Sequence, residues 1–205
     1  MSKAFDDILF TEKFRPEKIE HLILPKRLKD PLSKGPYQHM LYAGPQGTGK
    51  TTAALATVKQ FEHPYLFINI SDEGHVETLR KKIKRYASEA DLLNRDKKKK
   101  VIILDEMDGA SPQFYKALRG VTKRYNDRVR FIGTCNYPNK IPDPVLSRFE
   151  VLSFNFSQEE EEEMIPQYKR RVRGMFKKME MKISDEVAQD FVKRDFPDFR
   201  SVINK

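Results

Sequence analysis

One segment constrains the fold more than any other, because it fits the pattern GxxxxGKT and runs Gly44-Pro45-Gln46-Gly47-Thr48-Gly49-Lys50-Thr51. It lies between a short apolar run, residues 39–43, and a helical run, residues 52–61. In that context the glycines let backbone N–H groups turn toward phosphate oxygens at a helix N-terminus. Lys50 suits the β- and γ-phosphates, and the hydroxyl of Thr51 suits Mg²⁺. The segment therefore predicts a nucleoside triphosphate site, with a turn that only caps a helix as the alternative.

Short apolar runs rich in β-forming residues alternate with helical patterns along the chain. The runs are residues 39–43, 65–69, 101–104, 130–134 and 150–156. This alternation predicts an α/β fold with a mostly parallel sheet and crossover helices. A further helical unit begins at Ser157-Gln158-Glu159-Glu160, which has the capping-box pattern. We expect Pro166 to break or kink the helix that starts there.

The third apolar run ends in two acidic residues, Asp105 and Glu106. Beside a phosphate site, Asp105 would hold Mg²⁺ through its water shell, and Glu106 would accept a proton from an attacking water. Asn136 follows the fourth run and would orient that water or sense the γ-phosphate, unless it only starts a turn. We expect Cys135 to be a small buried residue rather than a nucleophile. Together these residues predict hydrolysis of the triphosphate by water.

Positive charge is concentrated in one part of the chain. Residues 80–100 contain ten basic residues against three acidic ones, a net charge of +7 within a total of +9. Apolar residues at three-to-four spacing within residues 76–90 place many of these cations on the outer face of a helix. Such a cluster indicates a protein that binds a polyanion, and a solvated face of ordinary charged helices is the alternative.

Composition excludes several classes of protein. The longest strongly apolar stretches are only a few residues long, far short of a membrane-spanning helix. The single cysteine allows no intramolecular disulfide, and the four histidines show no metal-binding spacing. The first residues include acids where a signal peptide needs basic residues. We therefore expect a cytoplasmic protein that has no contact with a membrane.

The order of the motifs resembles that of AAA+ ATPases. After the GxxxxGKT segment come Asp105-Glu106-Met107-Asp108, Thr134-Cys135-Asn136 and Ser147-Arg148. The local sequence is similar to that of sliding-clamp loaders, since Lys13-Phe14-Arg15-Pro16 resembles the box that opens their ATPase subunits. The greatest similarity is to the large, catalytic subunit of tailed-phage clamp loaders. It rests on Phe196-Pro197-Asp198-Phe199-Arg200 and Ile23-Leu24-Pro25.

The resemblance implies a DNA-stimulated ATPase that opens a sliding clamp and loads it onto primer–template DNA during replication. It implies ATP and Mg²⁺ as cofactors, an AAA+ core at residues 1–156, and a truncated helical lid at residues 157–205 without the collar domain. The implied partners are the clamp, the DNA and other loader subunits, as a homo-oligomer of large subunits with a small subunit, in the host cytoplasm if the source is a phage. Another AAA+ replication ATPase, such as a helicase loader or initiator, and a non-hydrolysing DNA-binding scaffold are the alternatives.

The resemblance also implies which residues hold ATP. Residues implied to embrace the adenine are Thr11, Glu12, Lys13, Phe14 and Ile23. Residues implied to hold the phosphates are Gly47, Thr48, Gly49, Lys50, Thr51 and Thr52. Arg200 would contact phosphate within the same subunit, whereas Arg148 would reach the γ-phosphate of a neighbouring subunit. Phe149 stands where this family has a cysteine, which is expected to alter the packing around Arg148.

Two further groups of residues are implied to contact macromolecules. Arg80, Lys84, Arg119 and Lys123 would follow the DNA backbone, although Lys123 replaces a glutamate that is usual in the family. Leu92 and Leu93 would form an apolar wedge against the clamp, and a position in the core is the alternative for both. These contacts imply DNA binding by shape and charge, with little preference for base sequence.

Overall fold

The computed structural model of the chain describes residues 14–72, 76–89, 98–180, 183–196 and 198. Within these ranges the strands are β1 (Met40–Ala43), β2 (Tyr65–Asn69), β3 (Lys100–Asp105), β4 (Val129–Cys135) and β5 (Glu150–Ser153). The α-helices there are α1 (Lys26–Leu32), α2 (Lys50–Gln60), α3 (Val76–Ser88), α4 (Pro112–Tyr125), α5 (Asp143–Leu146), α6 (Gln158–Lys178) and α7 (Asp185–Asp195). Short 3₁₀ helices lie at Ile19–His21, Met107–Gly109 and Pro138–Lys140. Each of the five predicted apolar runs therefore coincides largely with a strand. The third and fourth strands are slightly longer than their runs, and the last strand is shorter.

The strands form one parallel sheet in the order β2-β3-β4-β1-β5 within the described ranges. Ala43, the last residue of β1, pairs with Cys135 on one side and with Ser153 on the other. Asn69 pairs with Asp105 in the same way at the ends of β2 and β3. Because the carboxyl ends of parallel strands meet at one edge, the phosphate loop and the residues after β3 and β4 share that edge.

Both faces of the sheet are covered, since neighbouring strand residues point in opposite directions. On one face Leu41, Leu104 and Phe131 pack with residues of α3, α4 and α5. On the other face Met40 and Ile103 pack with α1, α2 and the chain before α1. The predicted α/β fold with a parallel sheet and crossover helices is confirmed. None of the helices in the described ranges is long and apolar enough to cross a membrane.

Helices α6 and α7 follow the sheet and pack around their own apolar cluster, which contains Tyr168 and Val192. The predicted capping box is present, because the Ser157 hydroxyl accepts the Glu160 N–H and the Glu160 carboxylate accepts the Ser157 N–H. The break expected at Pro166 is absent, since α6 continues through this residue. Pro166 lacks the N–H that would donate to the carbonyl of Glu162, so one helical bond is missing there, while the side-chain amide of Gln167 donates to the carbonyl of Glu163 at 3.3 Å.

Candidate functional site

The loop between β1 and α2 has the backbone shape that an anion site requires. Gly47 and Gly49 have φ values of 76° and 87°, in the left-handed region that glycine adopts without steric strain. Gly49 is also the N-cap of α2, so the helix begins directly at Lys50. The first N–H groups of a helix have no partner within the helix, and they therefore favour an anion at this end.

The side chain of Lys50 is buried in this loop. Its ammonium donates to the carbonyl oxygens of Gly44 and Pro45 at 2.7 and 2.6 Å, and to Oδ1 of Asn136 at 3.0 Å. The predicted phosphate-binding lysine and the predicted sensor asparagine therefore touch, although 86 residues separate them. The N–H groups of Asn136 and Tyr137 both donate to Asp108, which fixes the end of β4 next to the loop.

Asp105 joins the loop to two strands. Its Oδ1 accepts the hydroxyl of Thr51 at 2.8 Å and the hydroxyl of Thr134 at 2.6 Å. The same Thr134 hydroxyl accepts the N–H of Glu106 at 3.1 Å. Thr134 is a site residue that the sequence interpretation did not assign. Its position two residues before Asn136, at the end of β4, was the available signal.

The backbone at Glu106 has a conformation that is uncommon for residues other than glycine. Glu106 has φ 57° and ψ 46°, a left-handed conformation that costs about 1–2 kcal/mol outside glycine. Strain of this kind persists where surrounding bonds impose it, and the bond to Thr134 is one of them. Glu106 is exposed at the carboxyl edge of the sheet, whereas Asp105 is buried. The two neighbouring acids are thus given different surroundings, as their predicted roles require.

The oxygen atoms at Thr51 and Asp105 suit one kind of metal ion. Among the described residues, there is no group of three or more histidine, cysteine, aspartate or glutamate side chains that could hold a metal by themselves. One hydroxyl and one carboxylate oxygen, 2.8 Å apart, form instead a partial set of hard oxygen ligands. Mg²⁺ in nucleotide sites takes one or two such ligands and fills its remaining positions with phosphate and water. The residues present therefore fit Mg²⁺.

Cys135 lies at the end of β4 and is almost completely buried. Burial, with a further contribution from the charge of Asp108, raises the pKa of its thiol to about 12. A thiol with this pKa stays protonated at neutral pH and is not a nucleophile. The surroundings of Cys135 agree with its interpretation as a small buried residue.

Arg148 lies at the opposite edge of the sheet from the phosphate loop. Glu150 pairs with Met40 at the start of β1, whereas the loop follows Ala43 at its end. The strand rise of about 3.3 Å per residue separates these two ends by roughly 10 Å, and Arg148 precedes Glu150. Nε of Arg148 is buried and has no hydrogen-bond partner in the described structure. Phe149, which replaces the family's cysteine, is buried against the ring of His39 with 5.7 Å between ring centroids.

The predicted DNA-binding residues divide between two surfaces. A groove of about 500 Å³ between α3 and α4 contains Arg80 and Lys84. The complete lining of this groove is Glu77, Arg80, Lys81, Lys84, Ala117, Gly120, Val121, Arg124 and Tyr125. Arg119 and Lys123 are exposed on α4 but do not line the groove. At about 100° per helical residue they lie on another face of α4, so the structure does not bring all four cations together.

Lys100 is the last of the ten basic residues in residues 80–100, but in the structure it does not lie on the exposed basic surface. Its ammonium is buried at the start of β3 and donates to the carbonyl oxygens of Tyr86 and Glu89 at 3.1 and 2.9 Å. These carbonyls lie at the C-terminal end of α3, where a cation is stabilised by the helix dipole. Lys100 therefore holds the basic helix in place, and it is not available to a polyanion.

The structure describes only part of the predicted adenine side. Thr11, Glu12, Lys13, Arg200, Leu92 and Leu93 lie outside the described residues. Ile23 packs against the cluster between α6 and α7. Asp198, after α7, lies against the phosphate loop, because a Cβ built on Gly47 would overlap its carboxylate. Thr52 is half-buried in the first turn of α2.

Comparison with known proteins gives three findings. A family model described as "ATPase family associated with various cellular activities (AAA)" matches residues 40–157. Proteins named replication factor C small subunit are 36% identical over 163 residues in Saccharolobus solfataricus and 36% over 169 residues in Methanococcus vannielii. These matches cover 75% and 78% of this chain, and 49% and 52% of the relatives. The chain thus spans about half the length of the curated relatives that it matches.

The third finding concerns solved structures. The RuvB Holliday junction branch migration motor of Thermotoga maritima matches with a TM-score of 0.73 and 18% identity. The match covers 93% of this chain and 63% of the motor. At this identity the likeness concerns the fold alone, which extends beyond the sheet to the helices that follow it.

Proposed function

Because the chain belongs to the family of ATPases associated with various cellular activities (AAA), we propose that it is the ATP-hydrolysing part of a sliding-clamp loader in DNA replication. One observation carries the nucleotide chemistry, namely the direct bonds from Lys50 to Asn136 and from Thr51 to Asp105 at the phosphate loop. The similarity to replication factor C small subunits supports the role in clamp loading.

The arrangement supports a division of roles during hydrolysis. The N–H groups at the start of α2 and the ammonium of Lys50 bind the phosphates, and Asn136 keeps Lys50 oriented. When bound at Thr51 and Asp105, Mg²⁺ supplies charge neutralisation for the phosphates. Glu106 accepts a proton from the water whose oxygen forms a new bond to the γ-phosphorus. The bond between that phosphorus and the β–γ bridging oxygen breaks, so that ADP and phosphate leave.

Arg148 completes the site of a neighbouring subunit in this proposal. Its place at the amino edge of the sheet keeps it away from the phosphate loop of its own chain. A head-to-tail arrangement of subunits brings the amino edge of one sheet toward the carboxyl edge of the next. Hydrolysis then depends on assembly with other loader subunits, as a homo-oligomer of large subunits with a small subunit.

The groove between α3 and α4 is the surface that we propose for the DNA backbone. Arg80 and Lys84 share it with Lys81 and Arg124, and these cations suit phosphates without reading bases. Arg119 provides a matched control, because it is exposed on another face. Arg80→Ala should flatten the slope of log affinity against log salt by about one unit per contact, equally for two unrelated primer–template sequences. An unchanged slope, or the same change in Arg119→Ala, would contradict the assignment to this groove.

The finer parts of the proposal rest on the sequence resemblance. The AAA+ core occupies residues 1–156 and a helical lid begins at residue 157, as in the large subunit of tailed-phage loaders. Leu92 and Leu93 contact the clamp, and Thr11, Glu12, Lys13 and Arg200 complete the nucleotide site. The protein acts in the cytoplasm, which is that of the host if the source is a phage.

The experiment that tests the proposal measures ATP hydrolysis alone, with primer–template DNA, with the sliding clamp of the same replication system, and with both. We expect the largest rate with both, and we expect Glu106→Gln to abolish the increase. Stimulation by DNA without any effect of the clamp would favour a helicase loader or initiator. ATP binding without hydrolysis under all four conditions would favour a scaffold.

A further inference from the structure

Arg171 joins the middle of α6 to the beginning of the described chain. One end of its guanidinium, Nη1, donates to the carbonyl of His21 at 2.7 Å, and Nη2 donates to the carbonyl of Phe14 at 2.9 Å. These acceptors are 150 and 157 residues away in sequence and seven residues apart from each other. The planar fork of arginine suits two acceptors at fixed separation, so Arg171 fixes both ends of this segment. We call residues 14–24 the N-terminal strap.

The strap lies between the lid helices and the helix that starts at the phosphate loop. The N–H of Ile19 donates to the side chain of Gln60 on α2 at 2.8 Å, and Ile19 and Leu24 are buried against α2 and β1. Ile23 packs on the other side, against the cluster of α6 and α7. The strap therefore contacts the sheet with α2 on one side and helices α6 and α7 on the other. The relative position of these two parts determines the space beside the phosphate loop.

The order of strands indicates which part of a nucleotide lies near the strap. Asp105 follows β3, and β3 lies beyond β4 on one side of β1. On the other side of β1 is β5, which leads through Phe156 into α6. Phosphates at the start of α2 and their metal ligands face the β3 side. A nucleoside attached to phosphates at that place would extend toward the strap and the lid, where Ile23, Phe156 and Phe196 are apolar, partly buried residues that could face a flat base.

We propose that Arg171 is a positioning residue for base recognition, which holds the N-terminal strap against the lid at the distance that a purine base requires. The inference rests on the proposed nucleotide site and adds to it the residue that sets the geometry of its base side. Both of these bonds run to backbone carbonyls of the strap, so through them Arg171 acts on the strap and not on the nucleotide. A second contact of α6 supports the position of Phe14, whose ring centroid lies 6.0 Å from the ammonium of Lys178.

The test compares Arg171→Met with Arg170→Met, which makes the same change at an exposed neighbour on α6. Dissociation constants are measured for ATP, GTP and inorganic tripolyphosphate, which carries the phosphates without a base. In Arg171→Met we expect ATP to bind about 10- to 100-fold more weakly, as loss of a charge-assisted hydrogen bond implies. Tripolyphosphate should bind as in the wild type, and the preference for ATP over GTP should shrink. Arg170→Met should match the wild type in all three constants.

Two other outcomes would overturn the role proposed for Arg171. Equal loss of affinity for ATP and tripolyphosphate would show that Arg171 supports the whole site and not its base side. Unchanged affinity and base preference would show that the strap is held without it. Arg171→Lys keeps the charge and loses the planar fork, so it should give an intermediate loss of ATP affinity. It replaces Arg171→Met in the test if that variant does not fold.

The result for the wild type separates this inference from the function on which it rests. A wild-type chain that binds neither ATP nor tripolyphosphate refutes the proposed nucleotide site and this inference together. A wild-type chain that binds ATP, with an unchanged Arg171→Met variant, refutes the role of Arg171 alone. Hydrogen exchange without nucleotide gives a second measurement, in which amides of residues 15–22 should exchange faster in Arg171→Met than in Arg170→Met. Equal exchange in the two variants would also contradict the role of Arg171.

Discussion

The two edges of the sheet both carry buried polar side chains, but these side chains bond to different partners. At the carboxyl edge Lys50 bonds to Asn136 and to carbonyls of the phosphate loop itself, and Asp105 bonds to the hydroxyls of Thr51 and Thr134. At the amino edge Lys100 and Arg130 bond to backbone carbonyls of neighbouring loops and helix ends, among them those of Tyr86 and Tyr37. The edges thus differ in what their hydrogen bonds hold together.

This difference indicates two separate uses of buried charge. At the carboxyl edge the bonds of Lys50 and Asp105 run to neighbouring side chains and to carbonyls of the phosphate loop itself, where a bound phosphate or metal ion can take their place. Bonds to carbonyls at the amino edge satisfy the ends of helices and loops, and removing the donor takes away the protein partner of those acceptors. Arg148 is the exception at the amino edge, because it follows the short helix α5 and its Nε lacks a partner in the described structure.

The largest expected effect tests whether Arg148 acts at the carboxyl edge of the sheet in a neighbouring subunit, beside the phosphate loop there. Arginine fingers contribute about 10³- to 10⁵-fold to the rate in P-loop enzymes, roughly 4–7 kcal/mol of barrier. We expect Arg148→Ala to reduce hydrolysis by an amount of this order. Mixing Arg148→Ala subunits with Lys50→Ala subunits should partly restore activity, because some interfaces then combine an intact loop with an intact arginine. Assemblies of normal size that show no rescue at any ratio would contradict a shared site.

The next largest effect tests whether different residues of the carboxyl edge bind ATP and hydrolyse it. Glu106→Gln should reduce hydrolysis by about 10²- to 10⁴-fold, because the proton acceptor is lost. ATP affinity should remain, since Lys50 and the loop are unchanged. Lys50→Ala provides the contrast, because it should weaken ATP binding as well. Nucleotide titrations of both variants measure this difference, and equal losses of affinity would argue against it.

At the amino edge, His39 should make stability depend on pH. Burial, together with the charges of Arg130, Lys99 and Arg148, lowers the pKa of His39 to about 4. In the unfolded chain the histidine pKa is about 6.5, so between pH 6.5 and pH 4 the unfolded chain binds more protons than the folded one. The contribution of neutral His39 to the free energy of unfolding is therefore complete above about pH 6.5 and is lost as the pH falls toward 4. The loss should reach about 2 kcal/mol between pH 7 and pH 5. His39→Gln should reduce that difference in urea unfolding.

The control for this measurement is His21→Gln, because His21 is exposed. Its variant should keep the pH dependence of the wild type. A His39→Gln variant with an undiminished difference between pH 7 and pH 5 would show that other groups cause the acid sensitivity.

The smallest effect concerns Lys100. Lys100→Met removes the donor to two carbonyls at the end of α3, but water can replace part of these bonds at the half-exposed helix end. We therefore expect a loss of about 1 kcal/mol in the free energy of unfolding. Lys98→Met, which removes a mostly exposed ion pair with Glu62, should lose less. If Lys100→Met instead weakened DNA binding without affecting stability, Lys100 would belong to the basic surface.

Most of the carboxyl edge could be predicted from sequence, for a physical reason. Eight consecutive residues determine the loop, and a short apolar run determines where Asp105 and Glu106 emerge. The parallel arrangement then brings the ends of β1, β3 and β4 together. Thr134 escaped assignment because a threonine is common in strands, and only its bonds to Asp105 and Glu106 distinguish it.

The amino acid sequence by itself determined the phosphate loop, the order of the motifs along the chain and the positions of the two acids at the end of an apolar run, since local spacing encodes them. Tertiary structure alone decided which basic residues form the groove, that Lys100 is buried, and that Arg171 meets Phe14 and His21. A lysine or arginine has the same charge in every sequence context. Its role depends on which carbonyl, phosphate or solvent it meets. Packing between different elements decides that, whether they lie 14 residues apart in sequence, as for Lys100 and Tyr86, or 150, as for Arg171 and His21.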